Sequence, residues 1–281
     1  MTARPQVHML PDYRRLHLHH GPIDLIIEAW GKDWRAAYEA AAHRFEMVLS
    51  GLVSELPNLR RPLIGHTRFA DPIAWRMARA VAPFGAVYVT PMAAVAGAVA
   101  DEMLKAMVAD RSLTKAYVNN GGDIAFHLSE GQEFSLMGPA GKIRLGSQDD
   151  ARGIATSGWR GRSHSLGIAD AVTVVASSAA QADVAATLIA NAVDLPGNRT
   201  IIRQRACELS PDSDLGNRLV TVEVPPQPEE DKKTALDRGQ KIARALCDRG
   251  LIDGATLLFQ GQMRNVQSGA KTHAQEILTD A

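Results

Sequence analysis

The stretch from Tyr13 to Gly31, YRRLHLHHGPIDLIIEAWG, alternates apolar and polar residues on both sides of Gly21-Pro22. A period of two broken by glycine and proline predicts a β-hairpin. From Asp33 to about Leu56 the period lengthens. DWRAAYEAAAHRFEMVLSGLVSEL repeats apolar residues at helical spacing among strong helix formers, so one long amphipathic helix is expected, with Asp33 as its N-cap. A second helix is expected from about Asp71 to Ala82, with Pro72 in the first turn, where a missing N–H does no harm. A third covers roughly Met92 to Asp110. Its AAVAGAVA segment has almost no side chain, which lets a neighbouring helix or a ligand approach the backbone closely.

Short strands are then expected at Lys115 to Val118, Ile124 to Leu128, Glu133 to Met137 and Lys142 to Leu145, punctuated by NNGGD, SEGQ and GPAG in the spacing of a meander. The turn-rich ARGIATSGWRGRSHSLGIAD leads into AVTVVAS, a β-branched run that reads as a buried strand. SAAQADVAATLIANAVD follows as a helix, with Ser177 or Ser178 as N-cap and Gln181 placed for a capping box. EVPPQPEEDKK reads as an exposed connection, TALDRGQKIARALCDRGL as a helix and GATLLFQG as a closing strand. The polar residues 264–281 predict a frayed tail behind one compact unit of residues 1–263. Strands grouped in hairpins, apart from the helices, favour an α+β fold over a doubly wound sheet.

Composition narrows the function classes. Lys plus Arg and Asp plus Glu both total 31 in the 281 residues, so no excess of positive charge points to nucleic acid, and no basic tract points to a membrane surface. No stretch approaches the ~20 apolar residues of a membrane span, and the N-terminus lacks a signal-like apolar core, so a cytoplasmic setting is expected. The two cysteines, Cys207 and Cys247, lie far apart and outside any C-x-x-C pattern, and read as buried apolar fillers. The expected partner is a small-molecule ligand, with a homodimer as the base-rate oligomer.

Three segments carry candidate chemistry. In NNGGD, Gly121 and Gly122 open backbone dihedrals closed to other residues, so successive N–H groups can converge on an anion; Asn-Gly is equally the strongest signal of an ordinary hairpin turn. In ATSGWRGRSHSLG, hydroxyls and the arginines Arg160 and Arg162 are spaced by glycines at a density suited to phosphate or carboxylate, or to a solvated loop. On the helix QADVAATLIA, Asp183 and Thr187 stand at i and i+4, one turn apart on one face, where carboxylate and hydroxyl oxygens suit a hard cation such as Mg²⁺. An exposed Asp beside a back-bonding Thr has the same spacing. His17 and His19 share a strand face and read as a surface pair.

In order and spacing the chain resembles the ApbE superfamily, whose best-known members are FAD:protein FMN transferases. MVLSGLVSELPNL, TPMAAVAGAVADEML, VNNGGDI, IATSG and VTVVASSAAQADVAATLIAN look like five of its segments in the right order. The match is nearer still to a branch that lacks the HIIDPRTG segment. This resemblance implies an ApbE-like, T-fold-related architecture that binds Mg²⁺ and FAD or FMN. It puts the metal on Asp183, Thr187 and the Val95 carbonyl. It borders the flavin and its phosphates with Thr90, Met92, Asn119, Asn120, Gly121, Gly122, Asp123, Thr156, Ser157, Gly158 and Arg160. His164 answers to the family histidine and Asp170 to its aspartate, which makes them the implied catalytic pair, His164 as acid or base. SHSLGIADA is shorter than the family's transfer segment and Ala96 replaces its lysine, so the implied chemistry is Mg-assisted hydrolysis or transfer on a flavin-like, nucleotide-like or ring-bearing substrate in place of FMN transfer onto protein. A flavin-binding or flavin-handling module without catalysis, and a structural or assembly protein with a degenerate site, are the alternatives.

Overall fold

The computed structural model describes residues 4–65, 67–85, 87–138 and 141–268. In chain order the elements begin β1 (Gln6–Met9), β2 (Leu16–His20), β3 (Ile23–Gly31), α1 (Trp34–Phe45), α2 (Val48–Leu59), α3 (Pro72–Val81), α4 (Val95–Val108), β4 (Leu113–Asn120) and β5 (Asp123–Leu128). There follow β6 (Glu133–Gly138), β7 (Gly141–Gly146), β8 (Gly153–Ser157), β9 (Ala171–Ala176), α5 (Ala179–Ala192), β10 (Ile202–Arg205), α6 (Ala206–Leu209), β11 (Leu219–Glu223), α7 (Glu229–Asp248), β12 (Gly254–Phe259) and β13 (Gln262–Gln267).

Nine strands pair antiparallel in the order β1-β2-β3-β4-β5-β8-β9-β12-β13, which is the expected α+β class. Side chains alternate across the sheet. Leu25, Ile27, Ala116, Val118, Ala125, Ala155, Val172 and Val174 point to one face, where α1, α4, α5 and α7 cover them. On the other face Ile124, Phe126 and Ile154 pack beneath the β6–β7 hairpin, with Phe126 stacked on Phe134 at 5.0 Å.

The hairpin at Gly21-Pro22 forms as expected, with His20 opposite Ile23. The helix at 71–82 also forms, and the Asp71 carboxylate caps it by accepting from the N–H groups of Ile73 and Ala74 at 2.8 and 3.1 Å. The single helix expected over Asp33–Leu56 is two helices, because the chain turns at Glu46-Met47. Asp33 precedes α1 without capping it; its carboxylate instead accepts from the Ser112 N–H at 2.8 Å. A short 3₁₀ turn, Pro91–Ala94, leads into α4.

At Gly97 the small-residue stretch resolves in favour of a helix neighbour. A Cβ there would overlap the Ala179 carbonyl, so glycine lets α4 touch the N-terminus of α5. Asp101 of α4 caps that terminus from across the contact, accepting from the N–H groups of Ala179 and Ala180 at 3.0 Å each. Burial holds its carboxyl above the usual range while those two bonds pull it down. Ser178, the residue preceding α5, accepts from the Gln181 N–H, as the sequence leads one to expect.

Three differences from expectation concern the C-terminal half. The connection at 223–231 is not wholly exposed, because Gln227 is buried and bonded to Asn198, Thr200 and Gln260. Cys207 is only half-buried, whereas Cys247 is buried. Residues 264–267 belong to the edge strand β13, and the Ser268 N–H donates to the Asp253 carbonyl, so the unit extends past 263; residues 269–281 of the expected tail lie outside the described residues. No helix among the described residues is long and apolar enough to cross a membrane.

Candidate functional site

Antiparallel pairing brings the turns at 21–22, 121–122 and 260–261 and the loop 158–170 to one end of the sheet. The beginning of α4 comes to the same end, because Asn120, the last residue of β4, donates from Nδ2 to the Ala96 carbonyl at 3.0 Å.

The turn between β4 and β5 is tight. Gly121 and Gly122 have φ of 66° and 112°, and the Asn119 carboxamide oxygen accepts from the Gly122 N–H at 2.8 Å. The hairpin reading is the one the turn displays, with the Gly122 donor engaged inside it. Arg162 packs its guanidinium against Gly121, where any Cβ would displace it. It puts a positive charge at the place where the sequence suggested backbone N–H groups alone.

Asp123 follows the turn on the helix-covered side of the sheet, the side of Ala125. Burial pushes its carboxyl up to about 7, against the opposing effects of a hydrogen bond from the Thr156 N–H and the charge of Arg162. Asp183 approaches from α5. Burial first, and the charge of Asp123 second, raise its carboxyl well above the usual range. The N–H groups of Gly97 and Ala96 oppose the rise, that of Gly97 at 3.0 Å from Asp183 Oδ2. Asp183 therefore also caps α4, whose own N-cap residue, Ala94, has no side-chain oxygen.

Two acids that share a low-dielectric site and oppose each other's ionisation attract either a proton or a cation. Thr187 lies one turn beyond Asp183, and among the described residues no hydrogen bond occupies its hydroxyl. Val95 opens α4 beside the Asp183 contact. This set of carboxylate, hydroxyl and carbonyl oxygens has the hard-donor chemistry that Mg²⁺ selects. Among the described residues no three His, Cys, Asp or Glu side chains converge as a metal cluster, so such a cation would depend on the mixed oxygen set.

The other sequence-picked residues divide. Thr90 is buried; its hydroxyl accepts from the Met92 N–H at 3.2 Å and donates to the Asp214 carboxylate. Met92 packs against the core. Thr156 lies on the face opposite the acids, bonded to Thr173 at 2.9 Å, so its contribution is its N–H and not its hydroxyl. Ser157 ends β8 on the helix side, and Gly158 lets the chain cross the Asp170 carbonyl, where a Cβ would overlap.

Asp170 is committed to structure: it accepts from the Gln260 N–H at 2.6 Å and Trp159 Nε1 at 3.2 Å, and Arg160 stands 3.7 Å away. That leaves it anchoring the loop, with Arg160 stacked over Trp159 and largely exposed. His164 is half-buried in the same loop, with no hydrogen bond among the described residues. Arg162, which the sequence offered as one of the loop arginines, and Asp214, which it did not single out, join the site. Asp214 meets Thr90 only through a contact spanning 124 residues.

A crystal structure of the Pseudomonas stutzeri flavinyl transferase ApbE in its apo form superposes with a TM-score of 0.50, covering 95% of this chain and 96% of that one at 12% identity, which is a likeness of fold. The family model described as AbpE bacteria matches residues 7–265, and the chain belongs to that family. A UPF0280 protein of Methanopyrus kandleri is 37% identical over 153 residues, which are 51% of this chain and 58% of that one. A UPF0280 protein of Methanoregula boonei is 32% identical over 181 residues, 59% of this chain and 73% of that one. The chain thus spans little more than half the length of the first of these relatives.

Proposed function

We propose that the protein is a Mg²⁺-assisted hydrolase or transferase acting on a flavin-like or nucleotide-like small molecule that carries a pyrophosphate. The supporting observation is the meeting of Asp123 and Asp183, two carboxyls that burial holds protonated beyond their usual range, with the charge of Arg162 opposing the rise at Asp123. Asp183, Thr187 and the Val95 carbonyl would hold the Mg²⁺, which when bound supplies charge neutralisation for phosphate oxygens. Arg162 would bind the phosphate beside Gly121, supplying the bidentate donors that the occupied Gly122 N–H does not.

In this reading Asp123 would handle the proton. A carboxyl raised to about 7 is half ionised near neutral pH, which matches a general base to its task. In its carboxylate form it takes the proton of a water that adds to phosphorus, and one P–O bond of the pyrophosphate breaks to give two monophosphates. The test is incubation with FAD and Mg²⁺ and separation of FMN and AMP. Cleavage that disappears in Asp183→Ala sustains the proposal, and no product with either FAD or simple dinucleotides sinks it.

A second reading has one observation in its favour. Asp183 already accepts two N–H groups of α4, which suits a binding module whose acids organise the fold and turn nothing over. That reading expects purified protein to retain flavin, or to be stabilised by it, with no AMP released.

A further inference from the structure

β3 runs past the end of β2. Leu16 is paired with Ile27, and residues 28–31 keep β4 on one side with no β2 partner on the other. A cavity of about 260 Å³ opens along that unpaired edge. It lies away from the acid pair: Leu25 is paired with Asn120 beside the glycine turn, and Trp30 is five residues further along the strand, about 17 Å at ~3.3 Å per residue.

Its walls are aromatic. Trp30 and Trp34 line it, and Tyr13 lines it from the β1–β2 loop. Tyr13 is 83% exposed and has φ of 55°, a left-handed conformation that side chains other than glycine and asparagine rarely adopt. The loop holds it there firmly: Asp12 Oδ1 accepts from the N–H groups of Arg14 and Arg15 at 3.0 Å each, and the Tyr13 N–H donates to the Leu10 carbonyl at 2.9 Å. An exposed aromatic kept in a strained backbone at a cavity is the kind of feature that ligand binding explains.

Cations gather around the cavity beside the acids Asp12, which is paired with Arg15, and Asp33, which accepts from the Ser112 N–H. Its acid, Glu28, is already matched by Arg14 at 2.8 Å and accepts from the Tyr117 hydroxyl at 3.3 Å. Lys115 lies 4.4 Å from the centre of the Trp30 ring and Arg35 lies 4.4 Å from that of Trp34, two cations beyond the Glu28–Arg14 pair.

We infer that this cavity binds a planar aromatic anion, its ring laid against the indoles and its carboxylate or phosphate met by Arg14 and Lys115. Tyr13 closes over the ring from the loop. Four naphthalene probes test the assignment by calorimetry on the full chain: 1-naphthoate, 1-naphthyl phosphate, neutral 1-naphthol and 1-naphthylmethylammonium. At least one anion is expected to bind saturably, more tightly than the alcohol, and the cation not at all; which anion binds tighter identifies the headgroup.

Lys115→Gln, which leaves the Glu28 pair intact, and Arg14→Gln are each expected to weaken the anion several-fold with an unchanged melting temperature for the first. Asp183→Asn is expected to leave this binding untouched, separating it from the chemistry proposed above. No saturable binding by either anion at millimolar concentration, tighter binding of the ammonium probe, or affinity unchanged in both variants overturns the inference.

Discussion

Asp123 on β5, buried, and Asp183 on α5, half-buried, come from elements about sixty residues apart, and the charge of Asp123 raises the proton affinity of Asp183. A pH dependence of stability follows. Asp123 has a folded value of about 7 against an ordinary 3.8, so between those two values the folded state holds a proton that the unfolded state has released. Stability therefore falls as pH rises across that window, and the raised carboxyl of Asp183 adds to the fall in the same direction. Chemical denaturation at a series of pH values from 5 to 9 checks this. Asp123→Asn, which stays neutral, is expected to flatten the fall, and a parallel curve for the variant refutes it.

A cation competes with that proton. Added Mg²⁺ is expected to raise the melting temperature more at pH 8 than at pH 5.5, because below the window the acids are protonated. The scale is about 2.7 kcal/mol when Mg²⁺ is a hundredfold above its Kd. Asp183→Asn should lose most of this gain while keeping one oxygen for the α4 N–H groups. Equal stabilisation of the variant at pH 8 would place the cation elsewhere.

The fold was legible in the sequence where local chemistry decides it. Gly21-Pro22, Asn-Gly at 120–121, the Asp71 cap and the Ser178 cap each specify their own turn or terminus, and each forms as expected. The break at Glu46-Met47 has no glycine or proline to mark it; α2 even contains Pro57 in its last turn. β13 is illegible for another reason: as an edge strand it buries only Val266 and so reads as a polar tail. The acid pair and the Arg162 contact are long-range, and spacing within a segment says nothing of them. The Asp183–Thr187 face was readable from i, i+4 geometry, whereas the face on which Thr156 lies depends on the register of β8 with β9.

The two glycines of the turn separate conformational strain from loss of the Arg162 contact. Both have positive φ, yet a Cβ on Gly122 meets nothing within reach while one on Gly121 meets the Arg162 guanidinium. Gly122→Ala is expected to cost roughly 1–2 kcal/mol of stability, the left-handed penalty, with nucleotide affinity retained. Gly121→Ala should cost a similar amount and also displace Arg162, weakening FAD or AMP binding several-fold. Equal binding by both variants would remove Arg162 from the site.

Asp170 and His164, the two residues matched to the family's catalytic pair, are separated by their bonding. Asp170 accepts from a main-chain N–H and an indole N–H and stands beside Arg160. Asp170→Ala strands the donors of Gln260 and Trp159, a loss of about 2–4 kcal/mol at a partly buried, charge-assisted cluster. Melting temperature should drop accordingly, and any fall in turnover should track the loss of folded protein. His164 has no such bonds, so His164→Ala is expected to melt like the parent. If His164 handles a proton in the reaction, kcat falls in that variant while KM holds. If Asp123 alone does so, as its value of about 7 suggests, His164→Ala retains turnover and the rise of rate with pH stays where Asp123 sets it. A His164→Ala variant with full stability and lost turnover would hand the proton back to the histidine.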